Sequence, residues 1–494
     1  MSVDRRGAAR FEPDASLQRR ASGVLLHVTS LPGAAAGGDL GGAARRFVGW
    51  LARAEQTFWQ ILPLNPVSAD GSPYSGPSTF AGNAALIDRE PLLREGWLRR
   101  DEPLWRACER MLELRAHHRA LEELRYRARC WLPDYALFVA LCRRFGSSDW
   151  TTWPLPLRVG TGSAKAAARR ELARDIALVE LEQLLFAQQW DSLRDHAASH
   201  GIRIIGDLPI YVAHHSSDVW AHQHLFALDQ RGQPSHVSGV PPDAFSARGQ
   251  RWGTPIFRWD AMRADGYRWW SDRVRTMLDR VDLVRLDHFI GFARYWEIPA
   301  EADARAGRWV DGPGVTLFEA IARALDRRSL PFIAEDLGCV SEQVIALREA
   351  LALPGMKVAQ FGFGIDGAHE HHPAAWPVHS VGYTGTHDND TLRGWLAAGP
   401  PELRRSVMRE LGVAHDDDAA QRLIEAVLRS RARTVIVPMQ DLLGLGGEAR
   451  MNTPGRAEGN WSWRMSTTAR LDELAERLRG MTRAAARMRD GPET

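Results

Sequence analysis

Val284-Arg285-Leu286-Asp287-His288-Phe289 lies in the middle of a chain of 494 residues. Apolar Val284 and Leu286 alternate with Arg285 and Asp287. The stretch therefore reads as a short strand with two charged side chains on one face. Placing an Arg and an Asp together in a core is costly unless they serve each other or a ligand. A structural ion pair meets that condition, and so does a catalytic one.

Seven further stretches share the pattern of an apolar run closed by polar or turn residues. They are 23–28, 58–64, 202–209, 331–338, 356–361, 381–390 and 434–441. Between the first two, residues 42–54 carry Phe47, Trp50 and Leu51 at helical spacing, which makes a βαβ unit and argues a parallel sheet. Eight buried strands, with helices or insertions between most of them, count to an α/β fold: a (β/α)8 TIM barrel with helical and irregular insertions. Residues 21–89 supply strands one and two, 201–213 strand three, and 266–494 strands four to eight with a C-terminal helix. Between these, 90–200 read as a mainly helical insertion, with Leu112, Leu121, Leu124, Tyr135, Phe138 and Leu141 at helical spacing.

Residues 214–265 read as an irregular insertion rich in Pro, Gly and aromatic residues, Phe245, Trp252, Phe257 and Trp259 among them. Residues 1–20, polar and rich in Arg, read as a loose tail without the apolar core of a signal peptide.

Composition narrows the function. A net charge of +2 gives no reason to expect nucleic acid or an acidic membrane as partner. Lys165 and Lys357 are the only lysines, and neither neighbourhood suits Schiff-base chemistry. Cys108, Cys130, Cys142 and Cys339 have neither CxxC nor metal spacing and read as reduced thiols, the usage of a cytoplasmic protein. The run His369-Glu370-His371-His372 resembles a metal set only in composition, and no metal or other cofactor is expected.

Strands three, four, five and seven end in carboxylates: Asp207, Asp287, Glu335 (with Asp336) and Asp388. Parallel strands bring all of them to one mouth. Asp287 and Glu335 end consecutive strands, about 4.8 Å apart in a sheet. Retaining glycoside chemistry asks for two carboxyls about 5–5.5 Å apart, one as nucleophile and one as acid and base. Arg285 supplies a counter-charge for the nucleophile, and proximity to Asp287 would raise the proton affinity of Glu335. A metal site or a non-catalytic starch-binding protein would use the same mouth less completely.

The motifs resemble one family. The blocks are Val284-Arg285-Leu286-Asp287-His288-Phe289, Ala334-Glu335-Asp336-Leu337-Gly338 and Tyr383-Thr384-Gly385-Thr386-His387-Asp388-Asn389-Asp390. Further ones are Ser72-Pro73-Tyr74, Gly206-Asp207-Leu208-Pro209, Tyr295-Trp296-Glu297-Ile298-Pro299, Asn452-Thr453-Pro454-Gly455 and Asn460-Trp461. They are similar to those of the 4-α-glucanotransferases (amylomaltases, disproportionating enzymes), glycoside hydrolase family 77 of the α-amylase clan. The similarity runs from about Gly23 to Arg464, with departures at Ile290 and at Ala374-Ala375.

The resemblance implies transfer of α-1,4-glucan segments, with malto-oligosaccharides as donor and acceptor. It also implies roles. Asp287 is then the nucleophile, Glu335 the acid/base, and Asp388 the carboxylate that steadies the transition state. Arg285, His288, His387, Asp207 and Tyr74 hold the donor glucose. Gln250-Arg251-Trp252-Gly253 forms a mobile loop over the cleft, with Gln250 and Trp252 on substrate. The rival readings are an α-glucan hydrolase of the same clan and a maltodextrin-binding protein.

Overall fold

Every stretch read as a strand forms one. Numbered in chain order, the strands are β1 (Ala21–Leu25), β2 (Phe58–Gln60), β3 (Arg203–Leu208), β4 (His236–Val240), β5 (Gln250–Pro255) and β6 (Leu283–Leu286). The others are β7 (Arg294–Pro299), β8 (Arg308–Asp311), β9 (Phe332–Ala334), β10 (Gly355–Val358), β11 (Ser380–Tyr383) and β12 (Thr434–Pro438). In this computed structural model, which describes residues 11–33, 37–242, 248–364, 369–456, 458–466 and 470–488, β1-β2-β3-β6-β9-β10-β11-β12 close into a parallel barrel.

Alternation along each strand builds two cores. Leu25, Phe58, Ile205, Leu283, Ile333, Met356, Val381 and Ile436 fill the barrel interior. Their neighbours Val24, Trp59, Ile204, Val284, Phe332 and Val435 pack outward with the helices. Gly23 belongs to the interior because a Cβ there would meet the Cβ and carbonyl oxygen of Phe58 at 2.5 Å. Leu283 and Arg285 share the inward face of β6, so the charged pair does point into the barrel.

The stretch 90–200 is helical, ending in a 27-residue helix, Ala173–Ser199, about 40 Å long at 1.5 Å per residue. That helix packs on Gly42–Arg53 and on β3, so it serves as the barrel's own helix between β2 and β3. The C-terminal helix Leu471–Ala484 lies against the same Gly42–Arg53 helix.

Two expectations need correction. Within the supposed loose tail, residues 11–20 are built into the fold; residues 1–10 lie outside the described residues. Phe11 is buried, Glu12 bridges to Ser329, and Leu17 joins the interior cluster at the N-terminal end of the barrel. Arg20 donates to the carbonyls of Ser430 and Ala485. A barrel needs an apolar plug at its lower end, and this segment provides one.

The second correction concerns 214–265 and the start of 266–494. β4 and β5 from the first pair with β7 and β8 from the second in an antiparallel sheet, β5-β4-β7-β8. The irregular insertion is therefore half of a small sheet beside the mouth, and its other half follows β6. Of the aromatic residues named in that insertion, Phe245 lies outside the described residues.

Candidate active site

Register assembles the mouth. Asp207 of β3 pairs with Arg285 of β6, and Arg285 pairs with Ile333 of β9. Continuing that ladder two residues sets Asp287 beside Glu335. The backbone agrees: Glu335 N donates to Leu286 O at 3.1 Å and Phe289 N to Glu335 O at 3.0 Å.

Arg285 is the hub. Its Nη1 lies 2.9 and 2.8 Å from the two oxygens of Asp207 and 2.9 Å from Asp287 Oδ1. Its Nη2 is 3.9 Å from Glu335 Oε2. Arg285 is 4% exposed and Asp207 fully enclosed, whereas the Asp287 side chain keeps 27%. The guanidinium is thus committed to the buried carboxylate, while Asp287 still faces the cleft. Burial alone would lower the Arg285 pKa, but Asp207, Asp287 and Glu335 carry it well above the usual arginine value. Burial likewise raises the proton affinity of Asp207, against the pull of Arg285.

Glu335 is pushed up to about 8, chiefly by burial, with Asp287 adding to the shift and Arg285 opposing it. The neighbouring charge expected to cause this is the lesser contributor. Two backbone N–H groups clamp the carboxyl: His288 N to Oε2 at 2.6 Å and Leu337 N to Oε1 at 3.2 Å. A carboxyl that is protonated near neutral pH and fixed in place has the properties of a general acid.

The other residues singled out from the sequence converge here. Tyr74, from the loop after β2, donates its hydroxyl to Asp207 Oδ2 at 2.7 Å and stacks on His387 at 5.1 Å between ring centroids. Asp388 sits past the end of β11, half exposed, with its Oδ1 3.4 Å from His387 Nε2. Trp252 stands edge-on to His288, ring centroids 4.9 Å apart, and donates to Gln250 Oε1 at 3.1 Å. Gln250 and Trp252 lie on β5, hydrogen-bonded into the small sheet rather than on a free loop.

Three residues at the mouth carried no individual role in the sequence reading. Asn452 Nδ2 donates to Asp388 Oδ1 at 2.6 Å, and Arg450 Nη2 to the Asp388 carbonyl at 2.5 Å. Trp461 packs against both Tyr74 and His387. Asn452 and Trp461 do fall in two of the motif blocks, which is the signal that pointed to them.

The His369–His372 run is engaged elsewhere. His371 accepts from Val358 N, His372 meets Glu410, and Glu370 lies 3.5 Å from Lys357. Among the described residues no group of three or more His, Cys, Asp or Glu side chains is arranged to hold a metal ion.

Comparison with known proteins gives the site its context. The family model for glycoside hydrolase family 77, 4-alpha-glucanotransferase, matches residues 26–469. The 4-alpha-glucanotransferase of Thermus thermophilus is 42% identical, over 95% of this chain and 99% of that protein. The chloroplastic/amyloplastic enzyme DPE1 of Arabidopsis thaliana is 41% identical over 95% of this chain and 86% of its own length. Among solved structures, the amylomaltase of Streptococcus agalactiae in complex with acarbose superposes with a TM-score of 0.91 at 34% identity. It covers 95% of this chain and all of the other.

Proposed function

The chain belongs to the 4-alpha-glucanotransferase family, glycoside hydrolase family 77, and from that premise we propose which residues carry its reaction. The activity is transfer of a segment of an α-1,4-glucan to the 4-hydroxyl of another glucan or glucose, with retention. Asp287 is the nucleophile: one of its oxygens bonds to the anomeric carbon as the glycosidic C–O bond breaks. Glu335 gives its proton to the departing oxygen, leaving a glucanosyl ester on Asp287. In the second half the acceptor's 4-hydroxyl oxygen bonds to the anomeric carbon, its proton passes to Glu335, and the ester bond returns its electron pair to Asp287.

The observation that carries this assignment is the Arg285 hub, with both Asp287 and Glu335 on one guanidinium. Arg285 and Asp207 form a rigid floor, Tyr74 and His387 a stacked wall. Asp388, held by Asn452 and Arg450, is placed to hydrogen-bond the sugar hydroxyls more strongly as charge develops at the anomeric carbon. Trp252 on β5 offers a ring face for the acceptor side, and Gln250 holds that ring.

Transfer requires that an acceptor sugar outcompete water. Covering the ester with an aromatic surface would exclude solvent and favour the sugar. Incubation with maltotriose tests this reading: glucose and chains longer than maltotriose should appear together at early times. Products that are only shorter than the substrate would identify a hydrolase instead. Four unpaired cysteines support a reducing, cytoplasmic setting. Among the described residues no helix is long and apolar enough to cross a membrane.

A further inference from the structure

His288, next to the proposed nucleophile, has a left-handed backbone conformation, which residues other than glycine seldom adopt. Its φ is +48°, and what sets it apart from the chain's other left-handed residues is that it adjoins the proposed nucleophile and carries the first of two successive N–H groups that meet Glu335. That conformation has a visible consequence. The His288 N–H meets Glu335 Oε2 at 2.6 Å, and the left-handed turn that follows it sends the next N–H, of Phe289, onto the Glu335 carbonyl at 3.0 Å. The imidazole projects the other way, where the Trp252 indole meets it edge-on with ring planes at 90°. Its Cδ2 lies over Gly291, where a Cβ would come within 3.2 Å.

We propose that His288 is a positioning residue linking the Trp252 strand to the acid/base: its left-handed turn holds two successive N–H groups, its own and that of Phe289, on Glu335, and its ring ties that turn to β5. Resting on the reading of Glu335 as acid/base, this adds a route by which a sugar on Trp252 reaches the proton-transfer group without touching it. Burial lowers the imidazole to about 4, so the ring is neutral at working pH and acts through contact, not charge. A hydrogen bond to a carboxylate favours its ionised form. Losing the His288 N–H would therefore raise the proton affinity of Glu335. The charged and titratable groups facing Glu335 are Arg285 and Asp287 from β6, Asp336 beside it and Tyr383 from β11. None of these changes in the variants below.

The test is the pH profile of kcat and kcat/KM for maltotriose in four single variants and one double variant, each checked for folding by thermal melting. His288→Gly keeps access to the left-handed backbone and removes the ring; His288→Ala and His288→Val disfavour that backbone, Val more strongly. The expected order of kcat is Gly above Ala above Val, with Val at least tenfold below Gly. The basic limb should move to higher pH in Ala and Val and stay in place in Gly. Trp252→Ala should shift the limb in the wild-type background and leave it unmoved in the His288→Gly background, because the link is already cut.

Equal kcat and equal limbs for Gly and Ala would overturn the proposal, even if Val fails to fold. So would additive effects of the Trp252 and His288 changes. Glu335→Gln serves as the separate control: if it keeps the basic limb, the acid/base reading itself falls and this inference falls with it.

Discussion

At the scale of single residues, the mouth is an exercise in dividing one cation among three carboxyls. Arg285 gives two of its three hydrogen bonds to Asp207, which is fully enclosed and would otherwise be an uncompensated buried charge. Asp287 takes the remaining contact and keeps its exposure. Asp287→Asn retains size and one hydrogen-bond acceptor but cannot form the ester. Transfer from maltotriose should fall at least about a thousandfold, roughly 4 kcal/mol of transition-state stabilisation, with the melting temperature changed little.

Glu335 yields a prediction with a definite sign. Its folded value of about 8 lies above the ordinary 4.5, so its contribution to stability is fully present below 4.5 and lost as pH rises through 8. At pH 9 the wild type carries a buried carboxylate that Glu335→Gln lacks. Thermal melts should show the Gln variant gaining over the wild type more at pH 9 than at pH 5. The basic limb of kcat/KM should fall near pH 8, since the first step needs the protonated acid.

At the scale of elements, legibility followed local self-sufficiency. The barrel strands were readable because each is an apolar run cut off by turn residues, and the pattern needs no partner to be recognised. The small sheet was not. β4 reads His-Val-Ser-Gly-Val and β5 Gln-Arg-Trp-Gly-Thr-Pro, with glycines and a proline that weaken any strand pattern. What makes β4 a strand is pairing with β7, which lies beyond β6 in the chain, and β5 pairs in turn with β4. That is long-range information with no local trace. The same reason hid Arg450: only the closed barrel carries it to Asp388.

The placement of Trp252 on a paired strand also changes what the cover over the cleft can do. The preceding residues Gln250 and Arg251 pair with β4 and the indole N–H is held by Gln250 Oε1, so the ring presents a fixed face and acceptor selection rests on preorganisation. Trp252→Ala should weaken acceptor binding about tenfold, some 1.4 kcal/mol, and admit water to the ester. The measurement is the ratio of new long chains to reducing ends released from maltotriose. That ratio should drop several-fold while the rate of donor cleavage falls less. An unchanged ratio would remove Trp252 from acceptor selection.

At the scale of the whole molecule, the barrel separates stability from chemistry by placing them at opposite ends. Asp287, Glu335 and Asp388 stand past the C-terminal ends of their strands, and Asp207 is the penultimate residue of β3, beside them. The other end is closed by Leu17, from a segment whose polar, Arg-rich composition suggested a tail. Its apolar residues are too few and too scattered to form a pattern, and their burial depends on a hole that exists only once eight strands have closed. Leu17 is 2% exposed and packs with the interior cluster around Leu25 and Phe58. Leu17→Ala should cost about 2–4 kcal/mol in unfolding free energy, the usual range for a truncated core leucine, read from denaturant titration at pH 7. Because the plug and the Arg285 hub are separated by the packed interior, kcat and KM for maltotriose at 25 °C should stay within about twofold of wild type. A large loss of activity in the folded variant would mean that the lower end of the barrel sets the geometry of the upper one, and that the two ends are not independent.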